Sequence, residues 1–292
     1  MSGINLSDAE KCYIVHGVQD DMRNDGRACE EYRSIELETG LIATTNGSSR
    51  LRLGNTELLT GVKVELGTPN PHFPKEGWIE FHVDCSPNAS PSFQGRGGQN
   101  LSNNICNHLS RIYANKGVLD LSKLGILPFK YCWVVHVDVL ILECGGNLFD
   151  SVSVAVKAAL FNTGIPNIKI IAGDEGEAEI ILPDDPLDSI YMDTAKCPIL
   201  VTVNKIGNRH IIDATEKEEL CCNASIVLGV TKRGLITGMR KIGHGSLDPE
   251  SISEMVETGK SIGQKIHQSL NKLLALEKGL SKDGEKSGYL EL

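Results

Sequence analysis

Two short stretches carry residues whose types and spacing suit chemistry on a phosphorylated substrate. The first is Gly145-Gly146-Asn147-Leu148-Phe149, which lies between an apolar run and a helical pattern. Such a turn opens a helix N-terminus, whose free backbone N–H groups point outward and suit a phosphate. The side chains there are Asn147, Leu148 and Phe149, and none brings a cation. The glycine pair therefore has two readings, a structural turn and a phosphate cradle. The second stretch gathers Asp213, Glu216, Glu218 and Glu219. These could act as paired catalytic carboxylates or hold magnesium. They are also what the first turn of a short helix collects, because acidic groups complement its dipole.

Other constellations are looser. His82 and Asp84 alternate on one strand face, as do His136 and Asp138, so each pair could present metal ligands. Alternation alone makes such pairs common, and neither is expected to bind metal. Arg96 sits between Gly95 and Gly97-Gly98. Its backbone is free there, and its charge could grip an RNA phosphate or belong to an ordinary surface loop. No Ser, His and Asp arrangement is recoverable from spacing.

The elements that must position these residues follow from periodicity. Residues 132–142 form an almost unbroken apolar run rich in Val and Ile, which predicts a strand covered on both faces. Beyond the glycines, Val152, Val154, Ala155, Val156, Ala159 and Leu160 predict a buried helix, with Asp150 in its first turn. Upstream, Ser7 and Glu10 make a capping box, and a helix is expected over 8–20. Segments 34–42, 49–53 and 57–65 read as an antiparallel meander, and 78–85 as a further strand. A glycine-rich loop over 86–98 precedes a helix over 101–113. Downstream, 168–171 reads as a strand, 173–188 as an acidic connection, and 199–203 and 210–212 as strands. A short helix over 215–223 and a hairpin of 225–230 with 235–240 follow. Pro249 then starts a long helix with Ile252, Met255, Val256, Ile262, Ile266, Leu270 and Leu273 on one face. The last dozen residues are expected to be disordered.

Composition narrows the class. The 292 residues include 40% hydrophobic ones and carry a net charge of −9. No apolar run reaches the length of a membrane span, and the N-terminus is polar, so a soluble intracellular protein is expected. Nine cysteines, odd in number and without a CxxC pair, suggest neither a disulfide framework nor a zinc site. An acidic chain is a poor non-specific nucleic-acid binder, so any RNA contact has to come from a local patch or from more basic partners.

Taken in order, the motifs resemble a known family. Arg23-x-Asp25-Gly26-Arg27, then Arg33 and Ile35, Gly47-Ser48, Gly54-x-Thr56 and Val62-Lys63 look like the N-terminal half of the RNase PH family. The likeness continues through Val137-Asp138-Val139, Gly145-Gly146, Ala159-Leu160 and Ile212-Asp213 to Ser225, spanning roughly residues 6–274. Within the family the chain resembles the ring subunits of the eukaryotic exosome. The resemblance implies an α+β fold, RNase PH-like (ribosomal protein S5 domain 2-like), with two similar mixed-sheet halves flanked by helices. The expected divisions are a helical extension at 1–30, domain 1 at 31–172, the acidic connection at 173–194, domain 2 at 195–277 and a disordered tail at 278–292.

It also implies a hexameric ring of RNase PH-type subunits, S1/KH-type cap subunits, and a central channel leading RNA to an associated exoribonuclease. No membrane, cofactor or metal is implied. Active members of the family use phosphate to cleave RNA from its 3′ end. They carry Ser or Thr and then Arg after the glycines, where this chain has Asn147 and Leu148. They carry an Asp that aligns with Ser225, while Glu218 and Glu219 persist. The resemblance thus implies a non-catalytic subunit supporting rRNA maturation, RNA surveillance and mRNA turnover, in cytoplasm and nucleus including the nucleolus. Arg96 and Arg111 are the expected RNA contacts. The rival readings are an active phosphate-dependent 3′-to-5′ exoribonuclease using Glu218 and Glu219, and a nucleotide enzyme using the Gly145-Gly146 turn.

Overall fold

The computed structural model of the chain describes residues 6–292 apart from 116, 173–177, 182, 184, 186–187, 281–286 and 291–292. Ser7 caps helix α1 (Asp8–Gln19), and the Glu10 side chain returns to the Ser7 backbone N–H at 2.8 Å, which completes the predicted capping box. Strands β1 (Ile35–Thr39), β2 (Gly47–Leu53) and β3 (Thr56–Gly67) form the expected antiparallel meander. Strand β4 (Trp78–Cys85) follows, then helix α2 (Gly97–Tyr113). That helix begins four residues earlier than predicted. A side chain on Gly97 would collide with the Ser92 carbonyl, so the glycines let the helix start close against the preceding turn.

Strand β5 (Gly125–Leu127), strand β6 (Tyr131–Glu143) and helix α3 (Leu148–Phe161) come next. The first sheet runs β4, β6, β3, β2, β1, with β4 parallel to β6, the neighbours from β6 to β1 antiparallel, and β5 at the end of β6. Expected cover on both faces of β6 holds only in part. Trp133, Val134 and Val135 are buried, whereas Asp138 and Leu140 are open to solvent, because none of the described residues packs on that part of the outer sheet face. The apolar run reflects an inward face plus aliphatic residues outside.

Short strands β7 (Gly164–Pro166), β8 (Lys169–Ala172), β9 (Ala178–Ile181) and β10 (Ser189–Tyr191) then form two small pairs, β8 with β9 and β7 with β10. The segment read as an acidic connection therefore contributes strands; its residues 173–177, 182, 184 and 186–187 lie outside the described ones. The second half contains β11 (Ile199–Ile206), β12 (Arg209–Ile212), α4 (Glu216–Glu219), β13 (Ala224–Val230), β14 (Ile236–Ile242) and α5 (Pro249–Leu280). Its antiparallel sheet runs β12, β11, β13, β14. Helix α4 is a single turn rather than the predicted 215–223, because the Asn223 N–H is drawn to Lys205 O as the chain joins β11.

The tail corrects another expectation. Strand β15 (Ser287–Leu290) pairs antiparallel with β1 and covers an edge that would otherwise leave unpaired N–H and C=O groups. Residues 281–286 and 291–292 of the tail lie outside the described ones.

Helix α3 explains how the halves join. It packs on β2 and β3 on one side and on β11 on the other, so apolar residues all round the helix are required. Leu160 is fully buried, and Leu160→Ala there would cost about 2–5 kcal/mol. Asp150, predicted only as a dipole partner, is buried and accepts from Tyr32 Oη at 2.6 Å and Thr202 Oγ1 at 2.7 Å. Burial pushes its pKa up to about 6 despite those two bonds.

Candidate functional site

The glycine turn joins β6 to α3, and its surroundings decide between the two readings of the sequence. Thr56 Oγ1 accepts from Gly145 N–H at 3.1 Å and donates to Gly146 O at 2.8 Å. Gly146 has φ +95°, and a Cβ on it would lie 2.6 Å from Ala214 O and 2.7 Å from Glu216 N. Glu216 N–H donates to Gly145 O at 3.2 Å. The glycines thus admit the backbone of residues 214–216 from the second half, and that backbone fills the space over the turn.

The helix end itself carries an anion from within the chain. Asn147, left-handed at φ 58°, is the N-cap of α3, and its backbone N–H donates to Glu219 Oε1 at 2.7 Å. The Glu219 carboxyl thus stands beside the helix N-terminus, held by the N–H of its cap residue. Glu219 as a residue is exposed to solvent, and only its carboxyl turns in against the helix end. Protein crowded round its carboxyl pushes the pKa up to about 7, against the pull of the Asn147 N–H and Arg33.

Beside it lies an ion-pair network that spacing did not reveal. Asp213 is fully buried and accepts from the Arg33 backbone N–H at 2.8 Å, Arg33 Nε at 2.9 Å and Nη2 at 2.7 Å. It also accepts from Arg27 Nη1 at 2.9 Å and Asn147 Nδ2 at 2.9 Å. Burial alone would raise its pKa, but Arg33 and Arg27 outweigh that and hold it below the ordinary value. Arg23 grips Glu218 through two bonds of 2.9 and 2.7 Å, and its Nη2 reaches Asp213 O at 2.8 Å. Glu218 also closes a capping box with Thr215.

Of the two readings of Asp213, Glu216, Glu218 and Glu219, the arrangement favours a structural role over a carboxylate or magnesium cluster. Asp213 and Glu218 are neutralised by arginines, Glu219 accepts from the Asn147 N–H, and among the described residues no group of three His, Cys, Asp or Glu side chains could hold a metal. The strand pairs behave similarly. His136 Nδ1 lies 3.3 Å from Glu80 and its ring stands edge-on to Trp78, while His82 and Asp84 are exposed.

The two positions that matter most by resemblance are engaged elsewhere. Leu148 is 6% exposed and belongs to the main core. Ser225 lies opposite Asn204 on β11 and donates to its Oδ1 at 2.5 Å. A cation does approach the turn, which the local sequence concealed: Arg33 donates to Gly145 O at 2.9 Å and Gly146 O at 3.3 Å. Its remaining bonds go to Asp213, so four of its five N–H groups have partners. Gly145 of the turn itself lines a cleft of about 670 Å³ with Asn24, Arg27, Arg33, Glu216 and Lys217.

Arg96 and Arg111 are not brought together. Arg96 is the exposed N-cap of α2 and Arg111 lies in its last turn, about 22 Å further along the helix. Arg111 lines a 400 Å³ pocket with Asn104, Asn107, His108 and Arg240. Arg240 donates to Asn104 O at 3.3 Å and Oδ1 at 3.0 Å. His108 Nε2 is buried without a hydrogen-bond partner, and burial, then Arg240 and Arg111, push its pKa down to about 4. Among the described residues no acidic one lines this pocket, which suits an anion. Arg240 and His108 carried no signal in the sequence, because the pocket forms only when β14 meets α2.

Comparison with known proteins agrees with this architecture. Residues 31–166 match the 3′ exoribonuclease family, domain 1, and residues 196–262 match its domain 2. A Dictyostelium discoideum protein described as an exosome complex exonuclease, RRP42, is 34% identical over 92% of this chain and 98% of its own length. The exosome complex component Rrp42 of Pyrococcus furiosus is also 34% identical, over 91% of this chain and 93% of its own. Among solved structures, a chain of the Archaeoglobus fulgidus exosome with RNA bound to the active site superposes with a TM-score of 0.76. It shares 28% identity and covers 89% of this chain and 97% of its own. With both domains present in order and relatives matched along nearly their whole lengths, this chain belongs to the 3′ exoribonuclease (RNase PH) family.

Proposed function

We propose that this chain is a non-catalytic subunit of an RNA exosome ring, supporting 3′-to-5′ RNA processing and degradation through assembly and RNA channelling. The observation that carries this reading is the state of the family's phosphate position. Leu148 is in the core where active members have Arg, Ser225 bonds to Asn204 where they have Asp, and Glu219 accepts from the N–H of Asn147, the α3 N-cap residue. Without the arginine that follows the glycines in active members, and without their aspartate at the place of Ser225, the attacking phosphate and the leaving oxygen lose the groups that stabilise them.

In this reading neighbouring RNase PH-type subunits close a hexameric ring through head-to-tail contacts, S1/KH-type subunits cap it, and an exoribonuclease receives the RNA. Similarity to Rrp42 components and to an archaeal exosome chain supports membership of such an assembly. RNA contact falls to Arg111 with Arg240, and to Arg96 at the other end of α2. Work in cytoplasm and nucleus, including the nucleolus, belongs to the same reading. Purification of the tagged chain from cells, with size fractionation and identification of associated proteins, tests it. Co-migration with RNase PH-type chains is expected, and a stable monomer in lysate would contradict it.

One feature favours the rival exoribonuclease. A Glu219 pKa of about 7 is what acid–base chemistry would use. Its oxygen is nevertheless bound to the helix cap, and Arg33 is committed to Asp213.

A further inference from the structure

A buried polar contact joins the two halves of the chain far from the glycine turn. Lys157 on α3 is 1% exposed, and its Nζ lies 2.8 Å from Cys197 O, just before β11, and 2.9 Å from His267 Nδ1 on α5. His267 is fully buried, and its Nε2 lies 2.7 Å from Val230 O at the end of β13. A carbonyl only accepts, so Nε2 carries the imidazole proton and Nδ1 accepts from Lys157. One hydrogen-bonded chain thus runs from the first half through α5 into the second sheet.

No carboxylate balances this amine among the described residues. The titratable groups facing the pair are Cys197 before β11 and Lys232 in the β13–β14 turn. On α2, the buried Tyr113 stands beside Cys197. Asp193 acts on Cys197 alone. Burial followed by Lys157 depresses His267 to about 4, and burial depresses Lys157 to about 8. A proton on Nδ1 would remove the acceptor that Lys157 uses and set two cations 2.9 Å apart in the core.

We propose that the Lys157–His267 contact is a proton-operated latch between the two halves, closed while His267 is neutral and released when its Nδ1 takes a proton. Release separates α3 from β11 and α5, the seam on which the relative placement of the two halves depends. The proposal is independent of whether the chain is catalytic.

Amide hydrogen exchange of the full chain at pH 7.5 and pH 5, expressed as protection relative to each peptide's intrinsic rate, tests it. A group moved from 6.5 to about 4 increases the opening equilibrium about 30-fold over that interval. Asp150, which joins α3 to β11 and is pushed up to about 6, opposes this by about tenfold over the same interval. In an Asp150→Asn background the expected loss of protection therefore approaches the full factor of about 30 in α3, the start of β11 and the middle of α5, and is smaller in β1–β3. His267→Gln keeps an acceptor and a donor but cannot titrate, so it should remove most of the loss. Lys157→Met should shrink it by relieving the charge repulsion. Equal loss with and without His267→Gln in that background, or uniform loss across the seam and β1–β3, would overturn the latch.

Discussion

Arg33 and Asp213 hold each other through three hydrogen bonds: the Arg33 backbone N–H and Nε reach Oδ2 at 2.8 and 2.9 Å, and Nη2 reaches Oδ1 at 2.7 Å. The pairing fixes Asp213 at φ 45°, an unfavourable backbone state for an aspartate, and ties the loop before β1 to the end of β12. The arginines beside the glycine turn therefore serve cohesion between the halves.

Loss of the Asp213 charge would leave Arg33 and Arg27 without their shared partner. Asp213→Asn is expected to destabilise the chain by about 3–5 kcal/mol, the cost of breaking a buried ion pair. Chemical denaturation of wild type and variant measures it. A change under about 1 kcal/mol would mean that the network contributes little.

Asp150 gives a pH signature of opposite sign to a paired carboxylate. Its folded pKa of about 6 exceeds the ordinary 3.8, so the native state binds the proton more tightly than the unfolded chain. That contribution is complete below pH 3.8 and is lost as pH rises through 6. Asp150→Asn, which keeps polar groups facing Tyr32 and Thr202, should flatten the stability–pH curve between those values and leave stability at pH 7.5 unchanged or higher. Denaturation midpoints across that range check it.

RNA contact at the α2–β14 pocket is expected to be electrostatic. Arg111→Ala should weaken single-stranded RNA binding by the assembled ring uniformly across sequences, and lower the salt slope by roughly 0.7, the share of one phosphate contact. Fluorescence anisotropy at several salt concentrations would detect it. An unchanged slope would remove Arg111 from the RNA path.

The tail strand makes a local prediction. Truncation before Ser287 exposes the edge of β1, so amides of residues 35–38 that face β15 should exchange faster while β3 and β6 stay protected. Unaltered exchange in β1 would show that β15 adds no protection.

Much of this was legible in the chain, for reasons that differ by residue. The β6–turn–α3 unit announced itself because a buried strand and a helix enclosed between two sheets both need apolar runs, with glycines where another backbone crosses. Leu148 and Ser225 stood out because the order of family motifs fixes their places. Arg23, Arg27 and Arg33 appeared as motif residues, but their partners Asp213 and Glu218 are 180 or more residues away, and no local pattern records such a pairing. Lys157 with His267, separated by 110 residues, was hidden for the same reason. The tail misled because a short strand that borrows the edge of β1 needs no strong pattern of its own.

The most direct measurement is phosphate-dependent release of nucleoside diphosphates from a 3′ RNA end by the purified chain, wild type and Glu219→Gln side by side. With Leu148 in the core and Glu219 on the α3 cap, neither protein should release product above a no-enzyme control. Release by the wild type that disappears in Glu219→Gln would contradict an inert pocket.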